Sequence, residues 1–280
     1  ERTIMRYHPF QIFQASKSPA GLYARKKWLG ESENAAWRDD FNQTVSSLTR
    51  GQAADGSWNQ SLLETIRRLF GLHLTVRERT EDIRRALGWL IDTTLTGDLS
   101  GPYLEDLSAG AFRELPLISA RQPLVFACAT LFLASIFHME KEERVEAHYR
   151  LLIGWLERHA EHTEVWPEKS NILRALVVHP LYARDPSAMN LIEDLEKIQK
   201  SSGIWPAPVP FFLTVNALAH LDAESAHRQW IRVSPLLLNV QKKDGAWGVE
   251  DREWNTFLVV HALHNKKYTG INAQKHELKQ

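Results

Sequence analysis

Apolar residues recur along most of this chain at intervals of three and four, and strict alternation is nearly absent. That pattern predicts helices and almost no sheet. The helical runs are of two kinds. Amphipathic runs stand at 35–50 (AAWRDDFNQTVSSLTR), 79–95, 143–160, 189–200 and 228–241. Each is followed by a run that is more apolar all round, at 61–74, 121–138 (RQPLVFACATLFLASIFH), 169–181, 210–221 and 254–264. The second kind suits helices buried on most faces. The predicted unit is helix, short break, helix. Ahead of the first unit, Pro9 and Pro19 punctuate the chain and Gly21 to Leu29 supply a partial sixth one.

The breaks themselves repeat. Gln-x-x-x-Gly-x-Trp occurs three times, as Gln52/Gly56/Trp58, Gln199/Gly203/Trp205 and Gln241/Gly245/Trp247. With 14 Gly and 10 Trp in 280 residues, chance supplies far less than one copy. Two degraded copies lie between the first and second. They share Gly-Trp-Leu, at Gly88-Trp89-Leu90 and Gly154-Trp155-Leu156, and run to Tyr103 and Trp166. Self-similarity of this kind marks a repeat architecture. Five or six stacked hairpins form either a superhelix or a closed ring, and the pattern alone leaves both open.

The three motifs resemble the QW motifs of squalene–hopene cyclases and related terpenoid cyclases. A similar Asp-Gly-aromatic turn marks the β subunits of protein prenyltransferases. The resemblance spans about residues 52–264 and implies an all-α fold, an α/α toroid of five to six helical hairpins. In it the more apolar second helices form an inner ring and the first helices an outer one. The start, PFQIFQASKSPAGLYARKKWL, resembles that of small bacterial squalene-cyclase-like proteins. The expected organisation is one domain over 1–280, with 1–30 as the partial unit, 104–122 as an inserted loop and 269–280 as a tail. By the same resemblance, the amide of Gln241 caps the next helix and Trp247 locks one repeat to the next.

The resemblance carries the fold further than the chemistry, because activity resides in sites. Class II cyclases protonate their substrate with Asp-x-Asp-Asp, a motif absent here, as is the Asp-x-x-Asp of ionisation-initiated synthases. The prenyltransferase zinc site uses Asp-x-Cys; Cys128 has Phe126 where the Asp would stand. The thioester Gly-Cys-Gly-Glu-Gln of complement-type toroids is also missing. The expectation is no cofactor and no metal site. The pairs His159/His162 and His261/His264 lack a third ligand in sequence.

Composition narrows the rest. Lys+Arg and Asp+Glu number 34 each, so no basic excess points to nucleic acid. The single cysteine, Cys128, makes no internal disulfide, and a reducing, cytoplasmic setting is expected. No signal-peptide pattern stands at the start of the sequence, which opens on Glu1. The longest apolar run, 123–137, is shorter than the ~18–20 residues of a spanning helix. No transmembrane segment is expected, although peripheral membrane contact remains compatible with the composition.

Candidate site residues follow the repeat aromatics, where inner helices begin. Asp251, Glu253 and Glu168 are the candidate acids; the bland reading is that acids favour helix N-termini. Tyr103, Phe112, Arg113 and Trp254 are the candidate ligand-binding residues, against the alternative that the insertion only caps the barrel. Histidines 73, 138, 179, 220 and 261 or 264 each close a second helix, where they suit the helix dipole and its free carbonyls. The leading functional expectation is a toroid that binds or transforms an isoprenoid or other elongated apolar ligand in a central cavity. The second is a non-enzymatic scaffold that presents a surface or groove to another protein, favoured by the missing catalytic motifs. A squalene–hopene cyclase pairs two such barrels, so under the first expectation a partner chain or a homodimer completes the site. A carbohydrate-active α/α barrel, with paired carboxylates, is a weaker third.

Overall fold

The computed structural model of the protein describes residues 4–101, 105, 107–108, 110–267 and 270–271. Tyr103 and nearly all of the 269–280 tail lie outside them.

Among the described residues the fold is helical apart from one two-residue strand pairing and isolated bridges at Trp58. The helices are α1 (Pro19–Lys27), α2 (Ala35–Thr49), α3 (Leu62–Thr75), α4 (Glu81–Thr94), α5 (Gln122–Ile136) and α6 (Glu143–Arg158), followed by α7 (Trp166–Leu176), α8 (Pro186–Ile198), α9 (Phe211–Ala219), α10 (Glu224–Val240) and α11 (Arg252–Asn265). Starts are set by familiar caps: Ser18, Asn34, Ser61, Thr80 and Asp185 each accept a backbone N–H of the first turn. Strands β1 (Ile4–Met5) and β2 (Gly270–Ile271) pair in parallel and bring the two chain ends together.

Helix contacts follow the two kinds of sequence run. Each odd-numbered helix contacts the next, from α1 through α3, α5, α7 and α9 to α11, and α11 contacts α1. Helices α2, α4 and α6 each pack on the two odd-numbered helices that they connect, whereas α8 packs on α7, α6 and α10, and α10 packs on α9 and α8. Burial agrees: α5 is buried from Gln122 to Ser135, whereas α2 buries only Trp37. No helix among the described residues is long and apolar enough to cross a membrane.

The three repeat turns share one construction. Each glycine has positive φ, 98° at Gly56, 88° at Gly203 and 87° at Gly245. A Cβ there would run into backbone of the adjoining segment, at Arg85, Arg232 and His8 respectively. Each glutamine amide donates to two carbonyls, one in its own turn and one in that adjoining segment. Gln52 Nε2 reaches Gly56 O (2.9 Å) and Asp82 O (2.8 Å). Gln199 reaches Gly203 O and Gln229 O, and Gln241 reaches Gly245 O and Tyr7 O. The expectation that Gln241 caps the next helix is corrected, because its side-chain oxygen, the atom that would accept a helix N–H, accepts the N–H of Tyr7 at 3.2 Å instead. Trp58, Trp205 and Trp247 are buried, and each indole N–H donates back to the end of the preceding even-numbered helix, at Arg50 O, Leu195 O and Leu237 O.

Aromatic side chains meet between helices that are not adjacent in the helix cycle as well as between adjacent ones. Phe70 of α3 meets Trp254 of α11 edge to face at 5.7 Å and Phe132 of α5 at 6.1 Å. Helices α3 and α11 are separated by α1 in the cycle, so the Phe70–Trp254 contact joins two helices that are not adjacent in it. The helix-end histidines depart from the dipole reading. Burial first, then the charge of Arg77 (for His73) or Arg174 (for His261), holds both imidazoles at about 4, well below the usual 6.5. Both are neutral at pH 7 and offer no cation to a helix end. His179 Nδ1 accepts the N–H groups of Leu181 and Tyr182, so it acts as an acceptor where a donor was expected.

Two predictions follow from this packing. Gly245→Ala should lower unfolding free energy by at least about 2 kcal/mol, and Trp247→Ala by roughly 3–5 kcal/mol. Gly88→Ala, where an added Cβ meets nothing within 4 Å, should be stabilising by roughly 0.5–1 kcal/mol. Urea unfolding followed by circular dichroism checks all three; unchanged melting of Trp247→Ala removes the turn from the stability argument. The second concerns pH. With folded pKa values of about 4 against 6.5 for the free side chain, His73 and His261 take up protons in the unfolded chain first. Stability is full above about pH 6.5 and is lost as pH falls toward about 4. His73→Phe and His261→Phe should flatten that part of the urea-midpoint profile.

Candidate functional site

Two adjoining cavities lie where the inserted segment meets α1, α3, α9 and α11. One, of about 100 Å³, runs between Ser18–Ala20, Arg67, Phe70, Leu74 and Glu253. The other is a cleft of about 310 Å³, open to solvent along one side, walled by Phe112, Leu117, Phe211, Phe212, Asp251 and Leu258. Arg113, Glu114, Leu115 and Trp254 line both and form the partition between them.

The insertion is fixed over these cavities by polar bonds that sequence pattern does not reveal. Asn171 of α7 clamps both backbone groups of Ile118, accepting from its N–H and donating to its carbonyl, each at 2.9 Å. Arg67 of α3 donates to Ala111 O. Ala111, Phe112, Leu115 and Leu117 are buried, and the Phe112 ring lies 6.1 Å from Phe126 of α5. At the segment's two ends Glu105 and Gln122 exchange backbone and side-chain hydrogen bonds. The Glu105 carboxylate also accepts the N–H groups of Leu62 and Leu63, at the start of α3. The insertion is thus a built lid with apolar residues beneath it.

Five of the seven residues singled out from sequence gather here: Phe112, Arg113, Asp251, Glu253 and Trp254. Trp254 is buried, stacked on Phe257 at 5.3 Å, and walls both cavities. Arg113 reaches Glu250 at 3.2 Å and Asp251 at 3.6 Å, tying the lid to the turn before α11. Asp251 precedes α11 with φ 46° and makes no capping bond there. Its carboxylate faces Arg113 instead, in a backbone conformation that Asp tolerates better than most residues. Glu253 accepts from the hydroxyls of Ser16 (2.8 Å) and Ser18, which joins α11 to the start of α1. Glu168 stands apart, half-buried in the first turn of α7, where it accepts the N–H of Arg121 at 3.4 Å. It borders neither cavity.

The three candidate acids are therefore each engaged by a donor of the chain, two in linking elements and one at the base of α5. Sequence reasoning missed Phe211, Phe212, Leu213 and Leu258, which were counted only as helix core. The available signal was the pair of phenylalanines directly after Pro210, at the end of α9 facing the lid. Arg67 was missed as well, because it reads as one charge among several on α3.

No family model matches the chain, and no curated protein matches it. Among solved structures, the chain is similar to the crystal structure of a protein from Actinoplanes. That protein is 16% identical, with 90% of this chain and 89% of the other covered and a TM-score of 0.55. At that identity the likeness shows the fold alone.

Proposed function

We propose that this chain is an α/α toroid of the type found in terpenoid cyclases and protein prenyltransferases, and that it binds a short isoprenoid or similar apolar molecule beneath its lid. The toroid is supported by the cycle of odd-numbered helices and by the repeated Gln–Gly–Trp turns. The observation that carries the ligand is the 310 Å³ cavity walled by Phe112, Phe211, Phe212, Trp254 and Leu258. Its size falls at the lower end of the roughly 300–1,000 Å³ of small-molecule sites, and its apolar lining with a few charged groups at the edge is typical of them.

Binding is favoured over cyclisation for two physical reasons. A class II cyclase needs a carboxylic acid free to give its proton to an alkene, and Asp251, Glu253 and Glu168 are each held as acceptors. A cyclase also passes through carbocations, which a fixed guanidinium repels. Arg174 places such a charge inside the helix cycle, 5.7 Å from the Phe132 ring centroid.

Displacement of a fluorescent apolar probe such as N-phenylnaphthylamine tests this reading. Geraniol and farnesol should displace it, and Leu213→Trp, which fills the cavity from α9, should weaken displacement at least about tenfold with melting unchanged. Absence of displacement by either alcohol would falsify the reading. Conversion of squalene or a prenyl diphosphate to a cyclic product would overturn the preference for binding.

A further inference from the structure

Arg174 is the least explained charge in the molecule. It sits in the second half of α7 and is 7% exposed. Nη1 donates to the Asn216 side-chain oxygen at 3.0 Å, while Nε is buried without a partner. Asn216 is itself committed on its other side, donating to Leu258 O at 3.0 Å. Among the described residues no carboxylate pairs with Arg174. Burial alone pulls its pKa down, to about 10, with no carboxylate raising it. The imidazoles nearest in charge, His220 and His261, are held neutral in part by Arg174 itself. A buried guanidinium without an anion is costly, commonly by several kcal/mol, and a stable fold retains one where something else compensates it.

The surroundings indicate what that is. Arg174 borders a small space of about 10 Å³ together with Ser170, Thr214, Ile118, Pro210 and Leu213. The last three also line the 310 Å³ cavity under the lid. The two spaces are therefore neighbours, one apolar and roomy, the other small and ending on an unpaired guanidinium with two hydroxyl-bearing side chains.

We infer that the lid cavity takes an amphiphile with a carboxylate head, the head lying against Arg174 and the apolar chain under Phe112, Phe212 and Trp254. The inference rests on the binding function proposed above and names its ligand class. The forked donors of a guanidinium match a planar carboxylate. The space beside Arg174 holds about one water, so a head enters it by displacing neighbouring side chains, and a planar carboxylate demands less displacement than a tetrahedral phosphate. Asn216 accepts from Nη1 and holds the guanidinium in place, which makes it a positioning residue.

The test uses three C10 molecules with one chain: geranic acid, geraniol and geranyl phosphate, titrated calorimetrically into the full chain. Geranic acid should bind about ten- to a hundredfold more tightly than geraniol, the range for a hydrogen bond to a charged partner, and more tightly than geranyl phosphate. Arg174→Met should erase the preference for the acid and leave geraniol binding in place. It should also melt no lower than the parent, since it removes an unpaired buried charge. Should that variant fail to fold, the parent protein still decides: the Arg174 Nε–H resonance must move on adding geranic acid and stay in place with geraniol. Equal binding of acid and alcohol, tighter binding of the phosphate, or a preference that survives Arg174→Met overturns the carboxylate site while leaving the apolar cavity intact. If none of the three binds, the cavity reading fails and the carboxylate site fails with it.

Discussion

The fold depends on a turn in which one side-chain amide holds two backbones together. In each Gln-x-x-x-Gly-x-Trp the glutamine supplies both protons of its Nε2, one to its own turn and one to the segment lying beside it. The glycine makes this possible twice over. Its positive φ closes the turn, and its lack of Cβ lets the neighbouring backbone approach. At Gly245 that neighbour is His8, from the other end of the chain, so the last copy of the motif also joins the two ends of the sequence. The tryptophan then fixes the even-numbered helix to the turn by its indole N–H. A polar bond of this kind contributes only about 1 kcal/mol net, yet an unsatisfied carbonyl in its place costs more, and the buried indole adds a large apolar area.

The two degraded breaks show that the task is constant and the chemistry replaceable. At the break before α7 there is no glutamine; buried Lys169 reaches back with Nζ to Ala160 O and His162 O, and its ammonium lies 5.0 Å from the Trp166 ring centroid. At the break after α4, His148 Nε2 accepts the N–H of Gly97 at 2.9 Å. The Glu105–Gln122 exchange then holds the two ends of the insertion together. The lid exists because this one break was expanded, and its expansion places Phe112 and Arg113 over the helix ends. Fold and candidate site thus share an origin in a single altered turn.

This explains what the sequence discloses and what it hides. Helix positions were legible because hydrophobic period and caps are local. The division into two helix classes was legible because an all-round apolar run such as 123–137 has no other stable place than an interior. The insertion was legible as an interruption of the repeat. The acceptors of Gln241 were not, because Tyr7 lies 234 positions away and nothing local marks it. Glu253 looked like an acid entering a cavity; its serine partners come from the chain's other end, 235 and 237 positions off. Arg174 was invisible for a different reason. In NILRALVV an arginine reads as the polar face of a helix, and only the helix cycle turns that face inward.

The same inward turn separates two uses of one architecture. An aromatic-lined bore stabilises a migrating positive charge, and Phe70, Phe132, Trp254 and Phe257 supply such rings here. A guanidinium beside Phe132 opposes a positive charge passing near that ring. The ring faces screen that charge weakly, at 5.7 Å from Phe132, and Asn216 supplies one neutral acceptor. Neither is an anion. The neutral state of His261 belongs to the same balance, since protonation there would place a second cation beside an unpaired first. A buried guanidinium without a carboxylate partner among mostly apolar side chains is the physical basis of the carboxylate-headed ligand proposed above.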